Sequence, residues 1–209
     1  MTVLTQLSSA VGQKGNDANI ALAKEIAETK NRAAIQELVE NLQNKDKKIQ
    51  ADCIKTLYET AYINPRLIAD HYSAFLGLLS SKNNRLVWGG MIALTTITAL
   101  KNKEIFASID LIYDTVNKGS VITVDCGVDI LAKLNTYSEY KDNVESLLIE
   151  QLWKCPIKQL AKYMEKSSVA ISKENKEIYQ KIINERKVEC TKDAQVKRLD
   201  KVLKQINSI

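Results

Sequence analysis

From Asn83 to Leu100 the chain reads NNRLVWGGMIALTTITAL, and from Lys103 to Ser120 it reads KEIFASIDLIYDTVNKGS. Apolar residues recur through both halves at the three- and four-residue spacing that gathers them on one face of a helix. The stretch predicts two helices joined by a short break, and the same pair recurs before and after it. In the second helix, Ile109, Ile112, Tyr113 and Val116 follow Tyr72, Phe75, Leu76 and Leu79 by 37 residues, and those follow Ile35, Leu38, Val39 and Leu42 by another 37. In the first helix, Cys53, Gly90 and Gly127 share a column, as do Ile54, Met91 and Val128, and Leu57, Leu94 and Leu131. The first of these columns is always small. A small side chain lets two helix axes approach closely, which outweighs the roughly 1 kcal/mol that a mid-helix glycine costs relative to alanine. The polar breaks Asn44-Lys45-Asp46, Ser81-Lys82-Asn83 and Lys118-Gly119-Ser120 put N-capping residues at one register.

A two-helix unit of this size cannot bury its apolar face alone, so the units are expected to stack. The expected fold is all-α, an α-α superhelix (a right-handed solenoid) of about five helix pairs forming one domain over residues 1–209. The pairs fall at about 17–43, 47–80, 85–117, 121–154 and 157–189, with a C-terminal capping helix at 192–206. Residues 1–15 read as a short helical cap broken by Gly12 and Gly15, and Pro65 reads as the first position of a helix capped by Asn64. In the fourth pair the apolar register slips by one residue, to Leu148, Ile149 and Leu152.

The run Asp46-x-x-Ile49-Gln50-x-x-Cys53-Ile54-x-x-Leu57 resembles the HEAT-repeat signature: an acidic start, an apolar residue followed by a polar one, then small and leucine positions. The next copy, Asn83-x-x-Leu86-Val87-x-x-Gly90-Met91-x-x-Leu94, lacks the polar residue after Leu86. The resemblance covers roughly residues 31–155 and implies an armadillo-type helical repeat. HEAT-like proteins include the DNA-alkylation-repair glycosylases, to which this chain is similar in length, helicity and charge. No motif here matches that family's catalytic residues position by position, so the resemblance carries over no catalytic residue.

Composition fits helices packed through Leu, Ile and Ala: 45% of residues are hydrophobic, 6% aromatic, and only two are proline. The first fifteen residues lack the charged-then-apolar layout of a secretory signal, and no apolar run reaches the ~18 residues of a membrane span. Four widely spaced cysteines (53, 126, 155, 190) without a C-x-x-C motif are expected to be reduced thiols in a cytoplasmic protein. The net charge is +5, and residues 173–209 carry ten Lys and Arg against six Asp and Glu. That excess reads either as a footprint for phosphate or an acidic partner, or as the solvated face of an end cap.

The search for chemistry finds little. His71 is the only histidine, which leaves no basis for an imidazole metal cluster, and it reads as a helix-surface residue. Phosphate-cradling glycine loops, zinc-protease motifs and EF-hand loops are absent from the sequence, and Gly89-Gly90 lies mid-helix. Neither a cofactor nor a metal is expected. Candidate partner-binding residues are the aromatic–basic neighbours Arg85 with Trp88 and Trp153 with Lys154, and the i, i+4 pair Asp110 and Asp114. Second helices, which carry the acid pair, are expected to line the concave surface of a HEAT-like stack. The expected role is a non-enzymatic scaffold for an unknown protein partner, with nucleic acid as the competing partner and no membrane.

Overall fold

Helix is the whole of the regular structure. The computed structural model describes residues 2–209, which are 78% helical and contain no strand among them. Met1, part of the expected N-terminal cap, lies outside the described residues. The helices are α1 (Asp17–Thr29), α2 (Arg32–Glu40), α3 (Lys47–Ile63), α4 (Tyr72–Leu78), α5 (Asn84–Ile97) and α6 (Asn102–Phe106). They continue with α7 (Ile109–Lys118), α8 (Val121–Leu134), α9 (Ser138–Lys154), α10 (Ile157–Ser167), α11 (Lys176–Arg186) and α12 (Asp193–Asn207). The chain divides inside α8 into two units, one ending at Cys126 and one running Gly127–Ile209. Among the described residues no helix is long and apolar enough to cross a membrane.

Helix starts keep the period read from the side chains. α3, α5 and α8 begin at Lys47, Asn84 and Val121, 37 residues apart, and α4 and α7 begin at Tyr72 and Ile109, again 37 apart. Capping explains the first two starts. Asp46 accepts a hydrogen bond from the Lys48 N–H at 2.7 Å, and Asn83 accepts one from the Arg85 N–H at 3.1 Å. Each satisfies a backbone donor that the first helical turn leaves open.

In the first unit, α3 lies between α1 and α5, and α4 packs on α5. Burial follows the columns. Leu38, Phe75 and Ile112 are buried at one register position and Leu42, Leu79 and Val116 at another, whereas Val39, Leu76 and Tyr113 are half-buried. Tyr72 and Ile109 are also only half-buried, unlike Ile35, because each begins its helix while Ile35 sits one turn inside α2. Leu57 and Leu94 are fully covered. Between Pro65 and Tyr72 the structure differs from the sequence expectation. Pro65 opens a 3-10 turn, Pro65–Leu67, and a second turn, Ala69–His71, precedes α4. The proline ring presets φ for either kind of turn, so its position alone does not choose between them. Similarly, the N-terminal cap is a 3-10 turn, Val3–Gln6, and Gly12 and Gly15 adopt φ of 70° and 108°, which halts helical propagation.

That N-terminal segment is held by a buried polar relay. The Asn19 carbonyl, on a side chain with no exposed surface, accepts the Ser8 N–H at 2.9 Å, and its amide donates to Asp52 at 2.8 Å. The other Asp52 oxygen accepts the Ser9 N–H at 2.8 Å. Asn19→Ala would strand the Ser8 N–H and remove one donor from Asp52, an expected loss of about 1–2 kcal/mol in urea unfolding. It would also speed proteolytic nicking before Asp17, and an unchanged digestion pattern would contradict this role.

In the second unit Gly127, Val128 and Leu131 remain buried. α9 runs 17 residues without a break, and its buried positions are Tyr140, Val144, Leu148, Gln151 and Leu152, so the slipped register is real and Ile149 is only half-buried. Arg186, at the end of α11, is 7% exposed and donates to the Leu152 carbonyl of α9 at 2.9 Å. Its other nitrogens pair bidentately with Glu189 at 2.9 and 2.8 Å. α12 is tied sideways by Arg198 to Glu165 of α10 (2.8 and 2.5 Å) and by Lys187 to Asp200 (2.8 Å).

These arginine pairs set an acid limit. Hydrogen bonding from Arg198 holds the Glu165 carboxyl below its ordinary value of 4.5, and Arg186 does the same for Glu189. A carboxylate whose folded pKa is depressed stabilises the fold fully above its unfolded pKa and loses that contribution as pH falls through the folded value. The melting temperature should therefore fall as pH drops below about 4.5, and Arg198→Met should flatten part of that fall. Equal acid profiles for the variant and the wild type would exclude the Glu165 pair as a contributor.

Candidate functional site

The sequence candidates converge on one residue in the first unit, Trp88. It lies in the second turn of α5, half-buried, beside Gly89. Gly89 has no side chain because its neighbour is already there: a Cβ would sit 2.3 Å from Ile54 Cγ1 of α3. The contact brings α3 and α5 close, and Trp88 stands at the edge of their seam. On one side it walls a cleft of about 470 Å³ with Arg85, Ile92, Tyr58, Lys55 and Ile122. On the other it walls a second hollow of about 370 Å³ that includes Asp114, Lys118 and Leu111.

The first cleft mixes apolar lining (Ile54, Ile92, Ile122) with charged side chains (Asp52, Lys55, Arg85). Arg85 is exposed in the first turn of α5 and makes no ion pair among the described residues. Lys55 is different, since it bonds Glu59 at 2.6 Å and lies 4.8 Å over the Tyr58 ring. Burial opposes the Lys55 charge, but Glu59 and Tyr58 outweigh it and the net pKa is raised. Asp52, also at this cleft, is committed to Ser9 and Asn19. Among the described residues that line this cleft, Arg85 is thus the cation left to meet an incoming group. Tyr62, 61% exposed, stacks edge-on against Tyr58 with ring centroids 5.9 Å apart and extends the aromatic surface along α3.

The structure gathers some candidates and scatters others. Arg85 and Trp88 share the first cleft, and Asp114 shares the second hollow with Trp88, where its carboxylate pairs with Lys118 at 3.4 Å. Asp110 is exposed on α7 and lines neither. Trp153 and Lys154 end α9 in the second unit, where Trp153 is half-buried and Lys154 pairs with Glu150 at 3.0 Å. Tyr58, Lys55 and Ile92 were missed. They occupy non-core columns of the first helices: Ile92 lies one turn along from Trp88, and Lys55 and Tyr58 lie one and two turns along from its counterpart Ala51.

The remaining titratable groups belong to the scaffold. His71 ends a 3-10 turn rather than lying on a helix surface. Burial lowers its pKa against the opposing pull of Asp70, whose carboxylate pairs with Lys101 at 2.9 Å. All four cysteines are free, and Cys53, Cys126 and Cys155 are buried. Burial pushes the Cys53 thiol up to about 12, and the Cys155 thiol is also raised despite Arg186 beside it. Among the described residues no group of three or more His, Cys, Asp or Glu converges on a metal position.

No family model and no curated protein matches the chain. Solved structures do match it in fold. One, described as an engineered protein, superposes with a TM-score of 0.64 at 18% identity, over 98% of this chain and 95% of that one. A second engineered protein gives 0.62 at 18% identity, over the full length of both chains. The likeness shows the fold, an all-helical packed arrangement.

Proposed function

We propose that this chain is a HEAT-like, armadillo-type repeat protein, a solenoid forming a single continuous domain, and that it serves as a non-enzymatic scaffold for a protein partner in the cytoplasm. Support for the repeat comes from helix starts at Lys47, Asn84 and Val121 and from the buried columns that step with them. One observation carries the binding role: the Trp88 cleft, where Trp88 and Tyr58 meet isoleucines and the guanidinium of Arg85, which makes no ion pair among the described residues. Such a site suits a partner segment that inserts an apolar side chain beside a carboxylate. Clefts where an aromatic ring and an arginine meet are also where binding energy concentrates.

The test places a photo-crosslinking residue at exposed Asn16, at the edge of the cleft, and, as a control, at exposed Lys24 on α1. A partner captured from position 16 alone is then purified and titrated. Trp88→Ala and Arg85→Glu are each expected to weaken its binding at least tenfold. Unchanged affinity in both variants would overturn the assignment of the cleft.

A further inference from the structure

Trp88 divides two hollows of the first unit, and each side leaves one charge unpaired. In the cleft on the α3 side, Lys55 is paired with Glu59 and Asp52 is bonded to Ser9 and Asn19, which leaves Arg85. The hollow on the other side is walled by α7, through Leu111 and Asp114. Asp110 lies one turn before Asp114 on the same helical face, is exposed, and makes no ion pair among the described residues. Asp114 has Lys118 3.4 Å away, but both side chains are mostly exposed and water screens the pair. Apolar surface also stays uncovered on both sides. Leu111 is exposed on α7, and Val121 and Ile122 are exposed in the first turn of α8, where Ile122 lines the Arg85 cleft. Large apolar side chains left open around a tryptophan mark a surface that meets another molecule.

We infer that this surface is the interface of a twofold dimer, in which the Trp88 cleft of each copy receives α7 of the other. The inference rests on the proposed protein-binding role of that cleft and names its occupant. The cleft suits an apolar side chain beside a carboxylate, and α7 exposes that combination in Leu111 with Asp110. A patch of one sign would select a partner of the opposite sign. This patch instead holds an unpaired guanidinium on one side of an apolar centre and an unpaired carboxylate on the other, so it is complementary to itself. A twofold axis near Trp88 sets Arg85 of each copy against Asp110 of the other, with Leu111, Trp88 and Ile122 between the two ion pairs. One patch that meets its own copy, each contact made twice, is what a closed isologous dimer requires. The charges set the register and disfavour wrong partners, while the apolar centre provides most of the attraction. A surface of this modest extent gives a reversible dimer, with a dissociation constant on the order of 10 μM.

The experiment is sedimentation velocity of the full chain at concentrations from about 1 to about 500 μM, spanning the expected dissociation constant. The mass should rise with concentration from 23.5 kDa toward twice that value. Arg85→Asp sets like charges together at both ends of the interface, and so does Asp110→Arg/Asp114→Arg. Each variant alone should self-associate at least tenfold more weakly. An equimolar mixture of the two should recover a dimer of near wild-type strength, because each end then pairs a carboxylate with a guanidinium. All three positions are exposed, so both variants should retain the wild-type melting temperature. A wild-type chain that stays at 23.5 kDa throughout, variants that dimerise as the wild type does, or a mixture that stays monomeric would each overturn the dimer. Capture of a different protein, and not of this chain, by the crosslinker at position 16 would overturn it too, and the cleft would keep its role with another occupant. If instead Trp88→Ala and Arg85→Glu leave a captured partner's affinity unchanged, the reading of the cleft falls and the dimer falls with it.

Discussion

Arg186→Ala is expected to destabilise the second unit by about 2–4 kcal/mol, measured by urea unfolding with circular dichroism. Two losses add. The Leu152 carbonyl, in the last turn of α9, loses the guanidinium 2.9 Å away that now satisfies it, and it lies too deep for water to replace that donor freely. A buried acceptor without a partner costs about 1–3 kcal/mol. The side chain also leaves a void, because at 7% exposure Arg186 fills space between the end of α11 and Cys155, whose sulfur lies 3.5 Å from Nη1. The Glu189 pair adds less, since that carboxylate is 45% exposed and water screens it. Arg186→Lys keeps the charge and loses the planar fork, so it should recover only part of the stability. A loss below about 0.5 kcal/mol for the alanine variant would mean that neither contact contributes.

How much of this was legible in the sequence differs between the two scales of the argument. Helix pairing was legible, because burial imposes a period on side chains that a single chain displays openly. Leu57, Leu94 and Leu131 share a column in the sequence and share burial in the structure. Pro65 was misread because a proline at a helix start and one at a 3-10 turn have the same φ, and only the following residues' packing decides. Nothing in the sequence sets Arg186 apart from the other basic residues of 173–209, since its partner Leu152 lies 34 residues away and offers a backbone carbonyl that no sequence pattern marks. The candidate site was half legible. Trp88 stood out as a large residue off the core columns, but the cleft beside it belongs to α3, whose Tyr58 and Lys55 look like an ordinary helix surface until Gly89 draws the two helices together. Asp110 was singled out for its i, i+4 spacing to Asp114, and Trp153 for its basic neighbour Lys154. Neither lines the cleft: Asp110 is exposed on α7, and Trp153 lies at the end of α9.

Gly90→Val is expected to cost about 3 kcal/mol, the upper part of the range for forcing extra carbon into a packed helix interface. A Cβ at this position would meet the Phe75 carbonyl oxygen of α4 at 2.9 Å and the Leu78 Cβ at 3.1 Å. The first of these is backbone, so relief requires α4 itself to move, and the branched methyls of valine enlarge the demand. Alanine at the same site gains about 1 kcal/mol of helix propensity over glycine and should show a smaller net loss. Gly77, inside α4, provides the opposite case: nothing lies within 4 Å of its Cβ position, so Gly77→Ala should stabilise by about 0.5–1 kcal/mol. Comparing alanine at the two sites separates close approach from propensity, because both glycines are helical and both substitutions remove the same backbone freedom. If Gly90→Val and Gly77→Ala shifted stability alike, the small column would be a coincidence of composition. If they diverge, the column marks where consecutive helices touch. The register position that holds Cys53 in α3 then tells how much wider the same contact is one repeat earlier, since a thiol is already accommodated there with no exposed surface.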